Sequence, residues 1–349
     1  MQRRTLMSIV LGVIVVAALA VFMVQYFVRG SGSNLTVISF GGAYQQAQRE
    51  AYMRPFTEKS AVRINEGEYN GDYGIMRERA LASSPSWDVV SVESAPALRG
   101  EREGIFLPIP DSVFQDMHLV PAARRRTAAG HLLFSTILGY RTDDGEAQPQ
   151  SWNDFWDLRR FPGRRGLRNN PRGTLEIALL ADGVAPDRLY PLDVERALRK
   201  LDEIRDQIVF WDSGAQPVQL LANRTVRMTS VYNGRIWSAR ANEHLPLAWS
   251  MNQGLLEVEY WAVLRNSANP QKAFEFIRYS LGAQPQANFA NRIAYIPTNI
   301  DAQPLVSAAV RTGVPDTGPS GRQISVNSDW WAQNEARVAA RWQQWIARR

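Results

Sequence analysis

Few residues of this sequence are arranged to move protons or electrons, and several are arranged to hold charge. Two adjacent glycines, Gly41-Gly42, close a strand-like run and open a helical stretch. Free backbone N–H groups at such a junction suit a carboxylate or another anion. Arg172 and Arg235 can serve the same end through their guanidinium groups. Glu93, just past a strand-like run, is a candidate for the opposite charge. Asp143 with Asp144, and Glu257 with Glu259, are acid pairs, but nothing in the sequence puts either pair in a shared cleft.

Patterns that signal catalysis are absent. The three histidines, His118, His131 and His244, stand at no metal-ligand spacing from one another and read as surface or packed residues. No Gly-x-Ser-x-Gly elbow, no phosphate-cradling glycine loop ending in Lys-Ser/Thr and no dinucleotide fingerprint occurs. There is no cysteine, which removes disulfides, thiolate metal sites, cysteine nucleophiles and a lipid anchor on an N-terminal cysteine. The expectation is a protein that binds rather than catalyses, with no cofactor and no catalytic or metal site.

The 349 residues are 45% hydrophobic and 21% charged, enough for a large core in one big or two moderate domains. The net charge of +6 is spread among acids, and its one dense run is Arg124-Arg125-Arg126, so nucleic acid is not an expected partner. Arg3 and Arg4 precede an uncharged apolar stretch from Leu6 to Val28. About 20 apolar residues suffice to cross a membrane as a helix, and the preceding arginines stay in the cytoplasm. This stretch exceeds the usual apolar core of a cleaved signal peptide, about 7–15 residues. The reading is an N-terminal transmembrane anchor, with a cleaved signal peptide as the alternative. Either way the rest of the chain is exported. Gly30-Ser31-Gly32-Ser33 then reads as a flexible linker, or as a cleavage site.

Beyond the linker, strand-like and helical patterns alternate. Leu35–Phe40, Val62–Ile64 and Trp87–Val92 read as strands, separated by helices over 43–58 and 73–82. The middle repeats this order, with helices beginning at Trp152, Thr174, Val194 and Ala215 and strands at 166–168, 226–231 and 255–263. Helices follow over 271–281 and 330–346; in the last, Trp342 and Trp345 share a face that should pack on the body. The alternation predicts an α/β fold with a parallel sheet, whose ligands gather beyond the carboxyl ends of the strands. Two lobes are expected, with crossings near Gly139-Tyr140 and Tyr260-Trp261.

An ordered series of short motifs resembles the solute-binding proteins of polyamine-type (spermidine/putrescine) ABC importers. It begins with Ser39-Phe40-Gly41-Gly42-Ala43-Tyr44-Gln45 and continues through Trp87-Asp88-Val89-Val90 and Glu103-Gly104-Ile105-Phe106-Leu107-Pro108. It runs on through Ser151-Trp152-Asn153-Asp154-Phe155-Trp156, Val231-Tyr232-Asn233-Gly234-Arg235 and Glu259-Tyr260-Trp261, covering nearly all of the chain beyond Leu35. The resemblance implies a two-lobed periplasmic-binding-protein fold, type II-like, that closes on a ligand between its lobes. It implies lobe one as 34–139 plus 261–300 and lobe two as 140–260 plus 301–349, after residues 1–33 of anchor and linker. It also implies a periplasmic location, a small amine-containing ligand and ABC permease subunits as partners.

By the same resemblance Phe40, Tyr44 and Tyr232 are cleft aromatics, Glu259 pairs with an amine, and Trp261 of the same motif joins the site. Aromatic faces and carboxylates are what protonated amines require. One departure stands out. Polyamine binders carry acids in the loop corresponding to Asn169-Asn170-Pro171-Arg172-Gly173, where this chain has none. A zwitterion or anion therefore stays open beside a polyamine, as does a tethered sensor on the same fold beside a transport component.

Overall fold

The computed structural model describes residues 34–143, 145, 147–317 and 322–348. The expected anchor, Leu6 to Val28, lies outside these residues; among those described, no helix is long and apolar enough to cross a membrane.

Ten strands form one sheet: β1 Asn34–Ser39, β2 Arg63–Glu68, β3 Val89–Glu93, β4 Ala128–Arg141, β5 Arg165–Arg168, β6 Ile208–Trp211, β7 Met228–Tyr232, β8 Leu247–Val263, β9 Ile296–Pro297 and β10 Gln323–Ser325. Their order is β2-β1-β3-β8-β4-β7-β5-β6, with β10 on β8 and β9 on β4. Two parallel blocks, β2-β1-β3 and β7-β5-β6, flank an antiparallel ribbon of β8 and β4. Each block is wrapped by helices, and the ribbon is the common spine of two lobes. The first half of β4 pairs with β9 and the second half with β7, while the end of β8 pairs with β3.

β4 is the longest of the elements that the sequence pattern does not announce, which also include β6, β9, β10 and the helices Ser94–Glu103, Asn233–Asn242 and Ala283–Ile293. Its residues are almost all buried, so it lacks the polar alternation of a half-exposed strand. The first expected helix is longer than the sequence suggested: it runs over Gly42–Ser60 and contains a π turn at Arg49–Met53. Pro55 follows that turn and has no N–H to offer the regular ladder, which accounts for the break in its pattern.

Beside the crossing, the ribbon is irregular. Thr136 pairs with Leu255 but Leu138 pairs with Ser250, so residues 251–254 of β8 bulge out of register. Gln253 takes a left-handed φ of 56° there. The bulge is fastened by Trp152 Nε1–H to the Gln253 carbonyl at 3.0 Å and by Gln323 Nε2–H to the Met251 carbonyl at 2.8 Å.

Each lobe has its own core. Val37, Phe56, Trp261 and Phe276 pack in the first. Trp152, Phe155, Leu175 and Leu198 pack in the second, joined by Trp331, Trp342 and Trp345 of the helix Ser328–Ile346. The tryptophan face of that helix is thus a packing surface, as its spacing predicted.

Candidate functional site

Side chains alternate between the two faces of a strand, so register decides what meets at the lobe junction. Ser91 and Glu93 of β3 lie opposite Trp261 and Glu259 of β8. Across the ribbon, Leu132 and Phe134 of β4 lie opposite Glu259 and Glu257. Of these, Glu93, Glu259, Leu132 and Phe134 make the floor of the cleft. Strand ends and the turns after them make the walls: Phe40 and Tyr69 after β1 and β2, Tyr44 and Tyr295 from the first lobe, Arg168 and Tyr232 at the ends of β5 and β7, Arg235, and Asp212-Ser213-Gly214 after β6. The cleft so enclosed holds about 500 Å³ of space free of protein atoms, its mouth included.

The aromatic lining is continuous. Phe40 stacks on Tyr69 with ring centroids 5.2 Å apart and sits 6.0 Å from Tyr44; Tyr44 meets Tyr295 edge-on at 5.8 Å. On the other side Phe134 meets Tyr232 edge-on at 5.4 Å. The Arg235 guanidinium lies 5.7 Å from the Tyr44 ring centre, and that of Arg168 lies 6.0 Å from the Tyr232 ring centre.

The charges are buried and unequally partnered. Glu93 accepts from Arg168 Nη1 at 2.9 Å and from Arg172 Nη2. Burial opposes its ionisation, but the two guanidinium groups prevail and hold its pKa down at about 2. Arg172 also donates to Glu257 at 2.7 Å. For Glu257 burial outweighs that help and pushes the pKa up to about 7. Glu259 has no ion-pair partner among the described residues; Ser91 Oγ–H donates to it at 3.0 Å. Burial, reinforced by the charge of Glu93 opposite, raises its pKa well above the carboxylate range. Without a cation beside it, Glu259 holds a proton.

Of the expected residues, Phe40, Tyr44, Glu93, Tyr232, Arg235 and Glu259 come together around this one cleft. Four do not line it. Trp261 is fully buried beneath it, stacked on His131 at 4.4 Å. Burial lowers the His131 pKa to about 3, so the ring is a neutral packing partner. Arg172 is saturated on two sides by Glu93 and Glu257 rather than offered to a ligand. Gly41 and Gly42 do not line the cleft, and the Gly41 N–H goes to Gln45 Oε1 at 3.2 Å. The junction instead presents carbonyls, and Arg235 Nη2 donates to those of Phe40 and Gly41 at 3.2 and 3.3 Å. Gly42 still matters, because its φ is 59° and an added Cβ would stand 3.0 Å from Arg235 Nη1.

Arg168, Tyr69, Tyr295 and the Asp212–Gly214 turn were not picked out by sequence. For Arg168 and Tyr69 a signal existed: each stands at or just past the carboxyl end of a parallel strand. Tyr295 reaches the cleft from the segment after the helix Ala283–Ile293, which no local pattern announces. The acid-free loop 169–173 has its own role. Asn170 Oδ1 accepts from the Arg172 N–H at 2.9 Å, and Gly173 turns at a φ of 85°, which aims Arg172 at the two glutamates.

Residues 51–313 match the family described as bacterial extracellular solute-binding protein. The chain is 37% identical over 328 residues, 92% of this chain and 93% of the other, to the gamma-aminobutyric acid-binding protein of Pseudomonas aeruginosa. It is 20% identical over 268 residues, 74% of this chain and 76% of the other, to the spermidine/putrescine-binding periplasmic protein of Salmonella typhimurium. Among solved structures, the Atu4243 GABA receptor superposes with a TM-score of 0.81 at 32% identity, covering 91% of this chain and 98% of its own. AgtB of A. tumefaciens R10, in complex with agropinic acid, superposes with a TM-score of 0.84 at 31% identity, covering 90% and 98%. The two-lobed fold expected from the motif series is therefore shown, whereas the polyamine subtype is not: the polyamine-binding relatives are distant, at 20% identity. The chain belongs to the bacterial extracellular solute-binding proteins, the components that capture small molecules and deliver them to ABC permeases.

Proposed function

We propose that this protein captures a small zwitterion of the ω-amino acid class, with 4-aminobutyrate as the first compound to test. The observation that carries this reading is how charge is divided across the cleft. Glu93 comes from the first lobe and Glu259 from β8 where it pairs with that lobe's β3, and the second lobe contributes Arg168 and Arg235. Arg172 and Glu257 stand behind them and Asp212 adds a carboxylate to the wall, so the cleft offers charges of both signs and a zwitterion can meet one at each end. A zwitterion spans the division: its ammonium meets Glu259 within the Phe40, Tyr44, Tyr69 and Tyr295 rings, and its carboxylate meets Arg235 beside Ser213 and Gly214. Each end binds a different lobe, so occupancy favours closure. The printed names of the GABA-binding relatives agree with this reading.

A polyamine fits less well. Its several ammonium groups would face Arg168 and Arg235, and Glu93 is already committed to two arginines. The division into lobes at 34–139 plus 261–300 and 140–260 plus 301–349, with an N-terminal tether in the periplasm, is part of the same proposal. Calorimetric titration of the full-length protein decides between ligand classes. Saturable binding of 4-aminobutyrate with none of putrescine supports the proposal; tight putrescine binding with no response to 4-aminobutyrate overturns it.

A further inference from the structure

Behind Arg168 the floor of the cleft continues. Along β7 the residues on this face are Tyr232, then Ser230; along β8 they are Glu259, then Glu257. The first of each pair lines the main cleft, and the second lines a smaller, closed cavity that shares Arg168 with it as a common wall. Trp211 at the end of β6, Arg172, Thr136 and Thr174 complete the polar part of its lining, the Thr174 hydroxyl donating to the Arg168 carbonyl at 2.9 Å.

Three polar atoms of this lining have no hydrogen-bond partner in the protein: Ser230 Oγ, Trp211 Nε1 and Arg172 Nε. Their residues are 1%, 1% and 3% exposed, so bulk solvent does not satisfy them. Leaving one such group unpaired costs about 1–3 kcal/mol, and three around one cavity call for an occupant. Trp211 Nε1–H and Arg172 Nε–H can only donate, so that occupant accepts at least twice. Glu257, with one oxygen taken by Arg172, offers an acceptor on the other side when ionised. An anion would stand against the Glu257 carboxylate. A cation would meet two N–H donors and the charges of Arg168 and Arg172. A neutral hydroxyl, which accepts and donates, matches every wall, and the cavity has room for one water-sized group.

We propose that this inner cavity is a second binding site, for a single neutral hydroxyl group supplied by a water molecule or by a hydroxyl branch of the bound solute. It does not depend on the identity of the main ligand. With water in place, the occupant ties Trp211 and Ser230 of the second lobe to Glu257 on the ribbon. With a hydroxylated solute, the branch displaces that water past Arg168.

The test is a high-resolution crystal structure of the full-length protein, alone and with 4-aminobutyrate, together with titrations of 4-aminobutyrate and 4-amino-3-hydroxybutyrate. An ordered oxygen within hydrogen-bond distance of both Trp211 Nε1 and Ser230 Oγ is expected with or without solute. If solvent is the source, the two amino acids bind wild type and Ser230→Ala with the same ratio of affinities. If the solute is the source, the hydroxylated compound binds wild type about tenfold tighter, and Ser230→Ala removes that preference. An empty cavity, or density for an ion, overturns the inner site. Failure of 4-aminobutyrate to bind while the ordered oxygen is present overturns only the zwitterion reading.

Discussion

Glu93 and Glu259 are direct cross-strand neighbours in the antiparallel β3–β8 pair, yet two arginines reach Glu93 and none reaches Glu259. Like charges in this position repel. The pair is tolerable because Glu93 is held ionised by Arg168 and Arg172 while Glu259 keeps its proton. The asymmetry reserves one carboxylate for a cation from outside.

The first prediction concerns Glu259→Gln. The amide keeps the hydrogen bond from Ser91 and removes the latent charge, so the unliganded protein should melt at the same temperature or higher. Affinity for an amine-bearing solute should fall by about 2–5 kcal/mol, the usual effect of truncating one side of a buried charge pair. Melting curves and calorimetry on the same sample check both halves; an unchanged affinity would remove Glu259 from the site.

Binding should also release a proton. An incoming ammonium requires an ionised Glu259, whose pKa in the empty cleft is raised by burial and by Glu93. Affinity therefore weakens as pH falls. Titrations in buffers of different ionisation heat should show an apparent enthalpy that varies with the buffer for wild type and is flat for Glu259→Gln.

The stability of the unliganded protein should peak on the acid side of neutrality. Glu93 is depressed from its ordinary 4.5 to about 2, so its contribution is full above 4.5 and is lost as pH falls towards 2. Glu257 is raised to about 7, so its contribution is full below 4.5 and is lost as pH rises through 7. Urea midpoints measured from pH 3 to pH 9, about the span of both shifts, should rise and then fall. A monotonic increase towards alkaline pH would contradict the raised carboxylates.

Arg172→Met strands Glu257 and leaves Glu93 to Arg168 alone. The expected loss is about 3–5 kcal/mol of unfolding free energy, as for other buried ion pairs broken from one side. Adding Glu257→Gln to Arg172→Met should recover much of it. Additive losses in the double variant, measured by urea denaturation, would show that the two do not act as one pair.

Gly42→Ala tests the lobe contact made by Arg235. The left-handed φ costs an alanine about 1 kcal/mol, and its Cβ would crowd Arg235 Nη1. Solute affinity should fall more than the melting temperature does, because Arg235 is moved from both the cleft and the Phe40 and Gly41 carbonyls.

The sequence disclosed the parts of this site whose signals are local. The strand end marked Glu93, whereas Phe40 and Tyr44 were reached through the family resemblance. What it could not disclose is register. Glu257 and Glu259 were visible as an acid pair, but only the pairing of β8 with β3 and β4 puts Glu93 opposite one of them and Arg172 beside the other. Arg172 was expected to hold an anionic group of the ligand, and it holds Glu93 and Glu257 of the protein instead. Trp261 was expected to join the site, but it lies too deep in the sheet to reach the cleft. Alternation made the α/β class legible but not every element: β4 is uniformly buried, which erases the pattern that periodicity detects, and β6 and the helices Ser94–Glu103, Asn233–Asn242 and Ala283–Ile293 were not announced either.

The bulge at residues 251–254 bears on how such a clamp moves. Surplus backbone on one edge of a two-stranded ribbon bends the ribbon and tightens its local twist. Here it lies at the second-lobe end of the crossing, pinned by Trp152 and Gln323, while the first-lobe end stays in plain register with β3. The β4–β8 pairing shifts register a second time between Gly130 and Leu132, so the ribbon carries an irregularity on each side of the crossing. Between the two, Leu132 to Thr136 pair without a break with Glu259 to Leu255, and this short regular stretch fixes how Glu257 and Glu259 are presented.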